Sequence, residues 1–540
     1  MKRALLIDPR DHLGVALQDL SAGDTVLDVT LAEAIPAKQK FALCDLAIGD
    51  TVTMYGVSVG TPTQPIAKGA LITTANLEHV SDDYSVENRP PFEWTAPDTS
   101  AWQSRTFEGY HRANGSVGTQ NHWVVVPLVF CENRNLEVLR ESLLEAIGLG
   151  KSDHYQRYAE ALAEKIRTGS PLDGPIDLPD PADPKNRLFP NVDGVKFLLH
   201  GLGCGGTTDD ARSLCALIAG YIAHPNVAGA TILSLGCQHA QVAMLQEELA
   251  KRDNDRPVLV FEQQQWPSEK AMLEAALRDT FTALVEANQI TRSPAPLSKL
   301  VLGVECGGSD GFSGISANPT IGAVSDRLVA LGGTVILSEF PELCGVEQEL
   351  VNRCVTDDVA RRYADLMRAY SAAAAAVGAS FKDNPSPGNI RDGLITDAIK
   401  SAGAAKKGGT SPVVEALDYT EPARKPGLAL LSTPGNDVES TTAMAGSGAT
   451  MMLFSTGLGT PTGNAITPVL KIATNTDLAT RLADLIDFDT GPIIRGEATP
   501  DSLSEPLIEQ IIEVASGRAL TKAQALGQDD FLPWKRGVSL

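Results

Sequence analysis

"KLVLGVECGGSDGFSGISANPTIGAVSDRLVALGGTVILSEF", residues 299–340, decides the fold. An apolar run (LVLGV) ends in a loop of Gly, Ser and Asp. The amphipathic stretch IGAVSDRLVALG follows, and then a second apolar run (VIL). A short run that is apolar at every position reads as a strand buried on both faces. A helix placed between two such strands lets them run parallel. The same unit recurs from residue 195 onward: GVKFLLHG before ARSLCALIAGYIAH, GATILSLG before AQVAMLQEELAKR, and RPVLVFE before SEKAMLEAALRDTFTALVEAN. It resumes after 410 with GLALLSTP, ATMMLFSTG and TPVLKIAT, and the helical stretch SLSEPLIEQIIEVASGRAL follows. The expected class is therefore α/β, built from parallel sheets covered on both faces.

The first 75 residues differ. Short apolar pieces broken by Gly, Asp and Pro turns (RALLIDP, GVALQDL, DTVLDVT) predict a small all-β module. Residues 76–105, rich in Pro, Asp and Ser without period, read as a linker. Two parallel-sheet α/β domains then follow, over 106–295 and 296–540. The proline-rich stretch 170–194 reads as a long loop within the first of them.

Composition narrows the function classes. The formal charge is -22, which argues against nucleic acid or an anionic membrane as partner but leaves room for an anionic small molecule in a local basic pocket. No window holds about 18 uninterrupted apolar residues, so no membrane span is expected. The N-terminal MKRALLIDPRD is interrupted by charge too early for a signal peptide, and a cytoplasmic location is expected. The eight cysteines are dispersed with no CxxC pair, as in a reducing compartment.

Ligands bind open parallel sheets at the carboxyl ends of the strands, so the loops there carry the functional reading. His200-Gly-Leu-Gly-Cys204-Gly-Gly follows one strand, Gly236-Cys237-Gln238-His239 another, and Glu305-Cys306-Gly-Gly-Ser309-Asp310 a third. Thiols just before a helix start feel its positive end, which favours thiolate. Cys204, Cys237 and Cys306 converging on one crevice would hold a soft metal or an iron–sulfur cluster. The competing reading is that cysteine packs well in tight turns. Cys44, Cys131, Cys215, Cys344 and Cys354 read as core. GLGCGG (201–206) matches a dinucleotide fingerprint, but the next strand ends without the required carboxylate, and ECGGSDGFSG lacks the GK[ST] of a phosphate loop. A cysteine nucleophile with His200 or His239 as base has no local signature.

Several stretches, RANGSVGTQN (112–121), GCGG, LGCQ, ECGGSDGFSGISANP (305–319), NPSPGN (384–389) and STPGNDVESTTAMAGSGATMMLFSTGLGTP (432–461), resemble the altronate and galactarate dehydratase family over nearly the whole chain. The β-module resembles a SAF (β-clip-like) domain. The resemblance implies a hydro-lyase that removes water from a sugar acid, in hexuronate degradation, closest to the altronate branch. It implies iron, as Fe2+ or an iron–sulfur cluster with Mn2+ as a substitute, and a small-molecule sugar acid as partner, with a homodimer as one expected assembly. It implies Cys204, Cys237 and Cys306 as metal ligands and His200 and Asp310 as catalytic candidates, to which this chain's own His12 is added as a second acid–base candidate. Arg112, Asn114, Ser309, Asn436, Asp437 and Thr456 are implied as substrate contacts. Three departures stand out. His12 occupies a position where the family has Asn, Gln39 is the middle residue where the family has Gly-His-Lys, and Leu458 (with Thr462 nearby) replaces the arginine of STGRGTPYG. His12 could replace the imidazole lost at 39 if both faced one cleft. The lost arginine leaves the exact substrate open. Two other readings are a lyase acting on a galactarate-like diacid or another 2-hydroxy acid such as a sulfonate, and a binding protein without turnover.

Overall fold

The computed structural model describes residues 2–80, 82–87, 89–150, 154–176 and 187–539. The first parallel sheet contains strands β1 (His122–Pro127), β2 (Gly194–Phe197), β3 (Val227–Ser234) and β4 (Val258–Glu262), in the order β2-β1-β3-β4. The second contains β5 (Val301–Cys306), β6 (Thr334–Leu337), β7 (Val413–Leu417), β8 (Gly427–Leu431), β9 (Met451–Thr456), β10 (Val469–Ala473) and β11 (Phe488–Asp489), in the order β7-β8-β6-β5-β9-β10-β11. Every pairing in both sheets is parallel. The apolar runs show why: β3, β8, β9 and β10 are buried at every residue, as strands sandwiched between helices must be.

Five helices matter for the site: α1 (Thr208–Ile222), α2 (Ala317–Ala330), α3 (Asp397–Ala404), α4 (Asp437–Gly446) and α5 (Pro500–Ala515). Thr207 caps α1 with a capping box to Asp210, and Asn436 caps α4 by accepting the amides of Val438 and Glu439. One apolar core, including Leu217, Tyr221, Met444 and Phe454, joins α1 and α4 between the two sheets. On the other side α2 and α5 cover the second sheet through Ile321, Val324, Ile508 and Ile512.

The N-terminal module is all-β as expected, with small antiparallel sheets around Leu13, Val15, Phe41 and Val52. It runs past residue 75, because Leu77–Glu78 pairs with Thr61–Pro62. The following segment has no strand or helix among its described residues, yet it is fastened to the second sheet's domain. Arg89 bonds Asp357 and the carbonyls of Val351 and Cys354, and buried Trp102 donates to Glu509. Residues 177–186 of the proline-rich loop lie outside the described residues. No described helix is long and apolar enough to cross a membrane.

The second sheet sets the site's position. From β5 the chain crosses to β6 on one side, and later returns as β9 on the other side before continuing outward to β10. The crevice at the carboxyl ends of β5 and β9 is thus the point where strand order reverses, where ligands collect in open α/β sheets.

Candidate active site

At that point the chain buries a dense charged cluster. Cys306 closes β5 and is 2% exposed. Lys407, from the turn after α3, donates to Cys306 Sγ at 2.8 Å and to Glu339 Oε2 at 2.7 Å. The Cys306 thiol lies 3.5 Å from Glu342 Oε2, and Glu342 Oε1 pairs with Lys400 Nζ at 2.7 Å. Asn384 donates to the same Glu342 oxygen and accepts from Lys400. Glu305, one residue before the thiol, takes the hydroxyls of Ser440 (2.6 Å) and Ser338 (3.2 Å) on Oε2. Asp437, the first residue of α4, completes the group. Glu305, Glu339 and Asp437 bring carboxylate oxygens within 4.8 Å of one another, as do Cys306, Glu339 and Glu342 with their ligand atoms.

The electrostatics follow from burial. Four carboxylates face two ammonium groups, which leaves a charge of about -2 on the ionised cluster, too costly to bury unneutralised. Burial, reinforced by Glu339, pushes Glu305 well above the usual carboxylate range, and burial with the Glu339 and Glu342 charges brings Asp437 to about 7. Burial likewise pushes the Cys306 thiol well up; Lys407 offsets this only in part. This corrects the expected thiolate. For Glu342 burial is outweighed by Lys400 and Lys407, and it stays low. Glu305 Oε1 and Glu339 Oε1 are fully buried with no hydrogen-bond partner among the described residues. Glu339 also holds a left-handed backbone (φ 65°), strain that persists where surrounding contacts over-determine a functional residue.

The loop 306–310 leads from this cluster to a second one. A Cβ on Gly307 would lie 2.0 Å from Asp437 Oδ2, and one on Gly457 would lie 2.2 Å from Asp310 Cγ. These two positions therefore admit only glycine if the carboxylates are to stay where they are. Asp310 is saturated: Oδ1 accepts Phe312 N and Ser313 Oγ, and Oδ2 accepts Thr474 Oγ1 at 3.1 Å and Lys38 Nζ at 3.0 Å. Lys38 comes from the N-terminal module, has a left-handed φ of 74°, and also pairs with Asp392. Lys40 beside it is fully buried, held by the carbonyls of Lys38 and Gly393, and burial lowers its ammonium to about 7. Asp310 therefore locks the module onto the loop and has no free oxygen for proton transfer.

The site residues expected from sequence divide cleanly. Cys306, Ser309, Asp310, Asn436, Asp437 and Thr456 gather at this end of the second sheet. Ser309 Oγ is buried without a hydrogen-bond partner among the described residues, while Asn436 is spent as a helix cap and Thr456 Oγ1 accepts the amides of Gly459 and Thr460. The other candidates lie elsewhere. Cys204 and Cys237 are exposed at the end of the first sheet, and no group of close metal-ligating atoms among the described residues joins them to Cys306. That corrects the expected three-thiol site. Cys131, expected in the core, is exposed.

His200 is buried with both nitrogens engaged. Nε2 bonds the Pro127 carbonyl at 2.8 Å, Nδ1 accepts the Leu202 amide at 3.1 Å, and burial lowers it to about 4. It is a strut, not a free base. Arg112 bonds the carbonyls of Pro225 and Gln120 and Asn121 Oδ1, and Asn114 bonds Asp253 O and Ser116. Both hold a turn of the first sheet's domain and contact no cluster residue. His12 lies opposite Leu43 and accepts the Thr53 amide, whereas Gln39 lies opposite Ala16. Four residues along a strand is about 13 Å, so His12 does not replace an imidazole at 39. Gln39 instead donates to the Arg391 carbonyl.

Glu339, Glu342, Lys400, Lys407, Lys38 and Lys40 were not anticipated. The readable signal for the first two was an acid just past a buried strand, in VILSEFPEL.

Comparison with known proteins fits this geometry. Residues 297–539 match the D-galactarate/altronate dehydratase C-terminal model, 109–288 the D-galactarate dehydratase/altronate hydrolase second-domain model, and 2–80 the altronate/galactarate dehydratase SAF-domain model. The altronate dehydratase of Escherichia coli (strain K12) is 34% identical over 513 residues, 94% of each chain. The chain belongs to the altronate/galactarate dehydratase family. The altronate dehydratase of Bacillus subtilis (strain 168) is 32% identical over 545 residues, the whole of both chains. The L-threo-forming galactarate dehydratase of Escherichia coli (strain K12) is 31% identical over 521 residues, 96% of this chain and 93% of that one. Family membership covers both the β-module and the domain that holds the buried cluster.

Proposed function

We propose that this chain is a hydro-lyase that converts a D-altronate-like aldonate to its 2-keto-3-deoxy acid by β-elimination of water, in the cytoplasmic catabolism of hexuronates. The observation that carries the reading is the buried Cys306–Glu339–Glu342–Lys407 cluster with Glu305 and Asp437, at the switch point of a family dehydratase.

Elimination requires loss of a weakly acidic C2 proton and departure of hydroxide from C3. Iron suits the donor set: Glu305 and Glu339 each present a buried oxygen without a donor, Asp437 lies beside them, and a divalent cation matches the cluster's charge. Glu305 and Glu339 would hold it, with Asp437, Cys306 and Glu342 adjacent. When bound, the ion supplies Lewis-acid stabilisation of the enediolate and of the departing hydroxide.

The chain's own groups supply the rest. Asp437, half-buried beside exposed Gly435 and Asn436, is the cluster carboxylate nearest the solvent path. At about 7 it is poised to take the C2 proton near neutral pH. Glu305 behind it is fixed by the Ser440 and Ser338 hydroxyls, which it accepts on Oε2. Lys407 and Lys400 hold Glu339 and Glu342 in place and offset negative charge as the anion binds. Ser309 Oγ offers a hydrogen bond to a substrate hydroxyl or carboxylate. Leu458, 41% exposed, stands over Gly308. An apolar lip there gives a second carboxylate no partner, which favours an aldonate over a diacid.

The test is an anaerobic assay with ferrous iron and thiol across aldonic, aldaric and sulfonated 2-hydroxy acids, reading 2-keto-3-deoxy acid. Turnover of D-altronate with little on galactarate supports the proposal. Iron binding without turnover of any sugar acid overturns it.

A further inference from the structure

Within the buried cluster one contact joins an amine to a sulfur: Lys407 Nζ lies 2.8 Å from Cys306 Sγ. Both residues are held in place. Cys306 pairs with Ser455 at the end of β5, and its amide donates to Glu339 Oε2 at 3.4 Å. The turn that carries Lys407 is tied on two sides. The Lys407 carbonyl accepts Ser325 Oγ at 2.8 Å, and the Gly408 carbonyl accepts an Arg353 N–H at 3.2 Å. Only the two side chains have to move for nitrogen and sulfur to meet.

A small oxidant has a short way to this pair. Gly435 is exposed, and a Cβ on it would lie 3.4 Å from Glu342 Oε1. The other Glu342 oxygen lies 3.5 Å from the Cys306 sulfur. One carboxylate thus separates the sulfur from a solvent-facing loop, and hydrogen peroxide is little larger than water. Burial holds the sulfur in its thiol form, so a base must take its proton before it reacts. Glu342 is placed to do so.

We propose that hydrogen peroxide joins Cys306 to Lys407 through a reversible sulfur–nitrogen bond, a redox switch within the buried cluster. The thiol proton passes to Glu342 as the sulfur attacks peroxide. An S–O bond forms and the O–O bond breaks; the departing hydroxide takes a proton from the Lys407 ammonium and leaves as water. The amine so released attacks the sulfur of the sulfenic acid. An S–N bond forms and the S–O bond breaks; this hydroxide takes the proton from Glu342 and leaves as a second water, and the nitrogen gives one proton to solvent. Sulfur is oxidised by two electrons, and peroxide is reduced to two waters. Sulfenic acids condense in this way with nitrogen nucleophiles, and an amine already in contact competes at high effective concentration. Two thiols reverse the bond. The first returns the amine and leaves a mixed disulfide on Cys306, and the second releases the Cys306 thiol.

The cross-link stops the sulfenic acid short of the irreversible sulfinic and sulfonic forms. It also withdraws the ammonium from Glu339, whose Oε2 lies 2.7 Å from Nζ. The cluster then holds four carboxylates against one cation for as long as the bond persists. The bond forms whatever reaction the site catalyses; only its effect on turnover rests on the dehydration proposed above.

The probe is hydrogen peroxide, added in a few equivalents to the full-length protein at neutral pH and followed by non-reducing tryptic mapping with mass spectrometry. The expected product is a Cys306 peptide joined to one containing an uncleaved Lys407, about 2 Da lighter than the two together. Dithiothreitol should separate the pair, and C306S should not form it. The exposed Cys204 and Cys237 in the same digest report that the oxidant acted. Turnover should fall in proportion to the linked fraction and return with dithiothreitol. A Cys306 that oxidises without joining Lys407, a pair joined through an added oxygen, or a Cys306 left as thiol while Cys204 and Cys237 are oxidised overturns the switch. So does a linked protein with undiminished turnover.

Discussion

Replacing Lys407 by Met tests the buried cluster through stability, independently of any substrate. Lys407 and Glu339 are each 1% exposed and 2.7 Å apart. At an effective dielectric of about 20 that separation corresponds to about 6 kcal/mol of attraction. Most of it is balanced by desolvation, but removing one partner leaves Glu339 charged and buried, a loss of about 3–5 kcal/mol. For a domain of this size, about 2–4 °C per kcal/mol places the fall in Tm at roughly 6–20 °C. The double variant Lys407→Met/Glu339→Gln removes the stranded charge, so it should recover about 2–3 kcal/mol of that loss while remaining inactive. Differential scanning calorimetry on the wild type, both single variants and the double variant closes the cycle. A Lys407→Met protein that melts with the wild type, or a double variant no more stable than Lys407→Met, refutes the paired, desolvated arrangement.

Lys38→Met should cost about 2–3 kcal/mol, since it strands the fully buried Asp310, and should make the N-terminal module the first segment released in limited proteolysis; an unchanged cleavage pattern counts against the docking contact. Gly457→Ala should lower kcat far more than it alters Tm, because its Cβ would drive Asp310 from its place without opening a core cavity; equal kcat would show that the loop's position is immaterial. Acid should loosen the first sheet's domain. His200 and His224 are lowered by burial to about 4 and about 3, so each is neutral when folded and takes up a proton when unfolded. Their stabilisation is complete above about 6.5 and is lost as pH falls toward 4 and 3, of order 3 kcal/mol each. Tm measured from pH 7 to 4 should fall less steeply in His224→Gln than in the wild type, and parallel slopes would contradict the assignment.

The β5–α2–β6 unit was legible because burial on both faces removes polar residues from a strand, and that bias survives in sequence. Strand β1 was missed: the alternation was read from 195 onward, and HWVVVP stands after a turn without its own helix pattern ahead of it. Cys306 and Asp437 were found because the one closes β5 and the other opens α4 after the loop that follows β8, both at the crevice. Glu339 and Glu342 also follow β6, but Glu339 reads as the tail of the strand run GTVILSEF and Glu342 carries no motif. Lys400 and Lys407 lie about a hundred residues from Cys306, and Lys38 and Lys40 come from another module, so only the tertiary fold unites them with it. His200 failed for the opposite reason. Its place at a strand end suggested a base, and nothing in the sequence revealed that Pro127 and Leu202 would claim both nitrogens.

The central claim is that the chemistry sits among Glu305, Glu339, Asp437 and Cys306 at the end of the second sheet. Anomalous diffraction at the iron edge, from anaerobic crystals loaded with ferrous ion, tests it most directly. The account predicts a single strong peak among the Glu305, Glu339 and Asp437 carboxylates. A peak beside Cys204 and Cys237 at the end of the first sheet would contradict it.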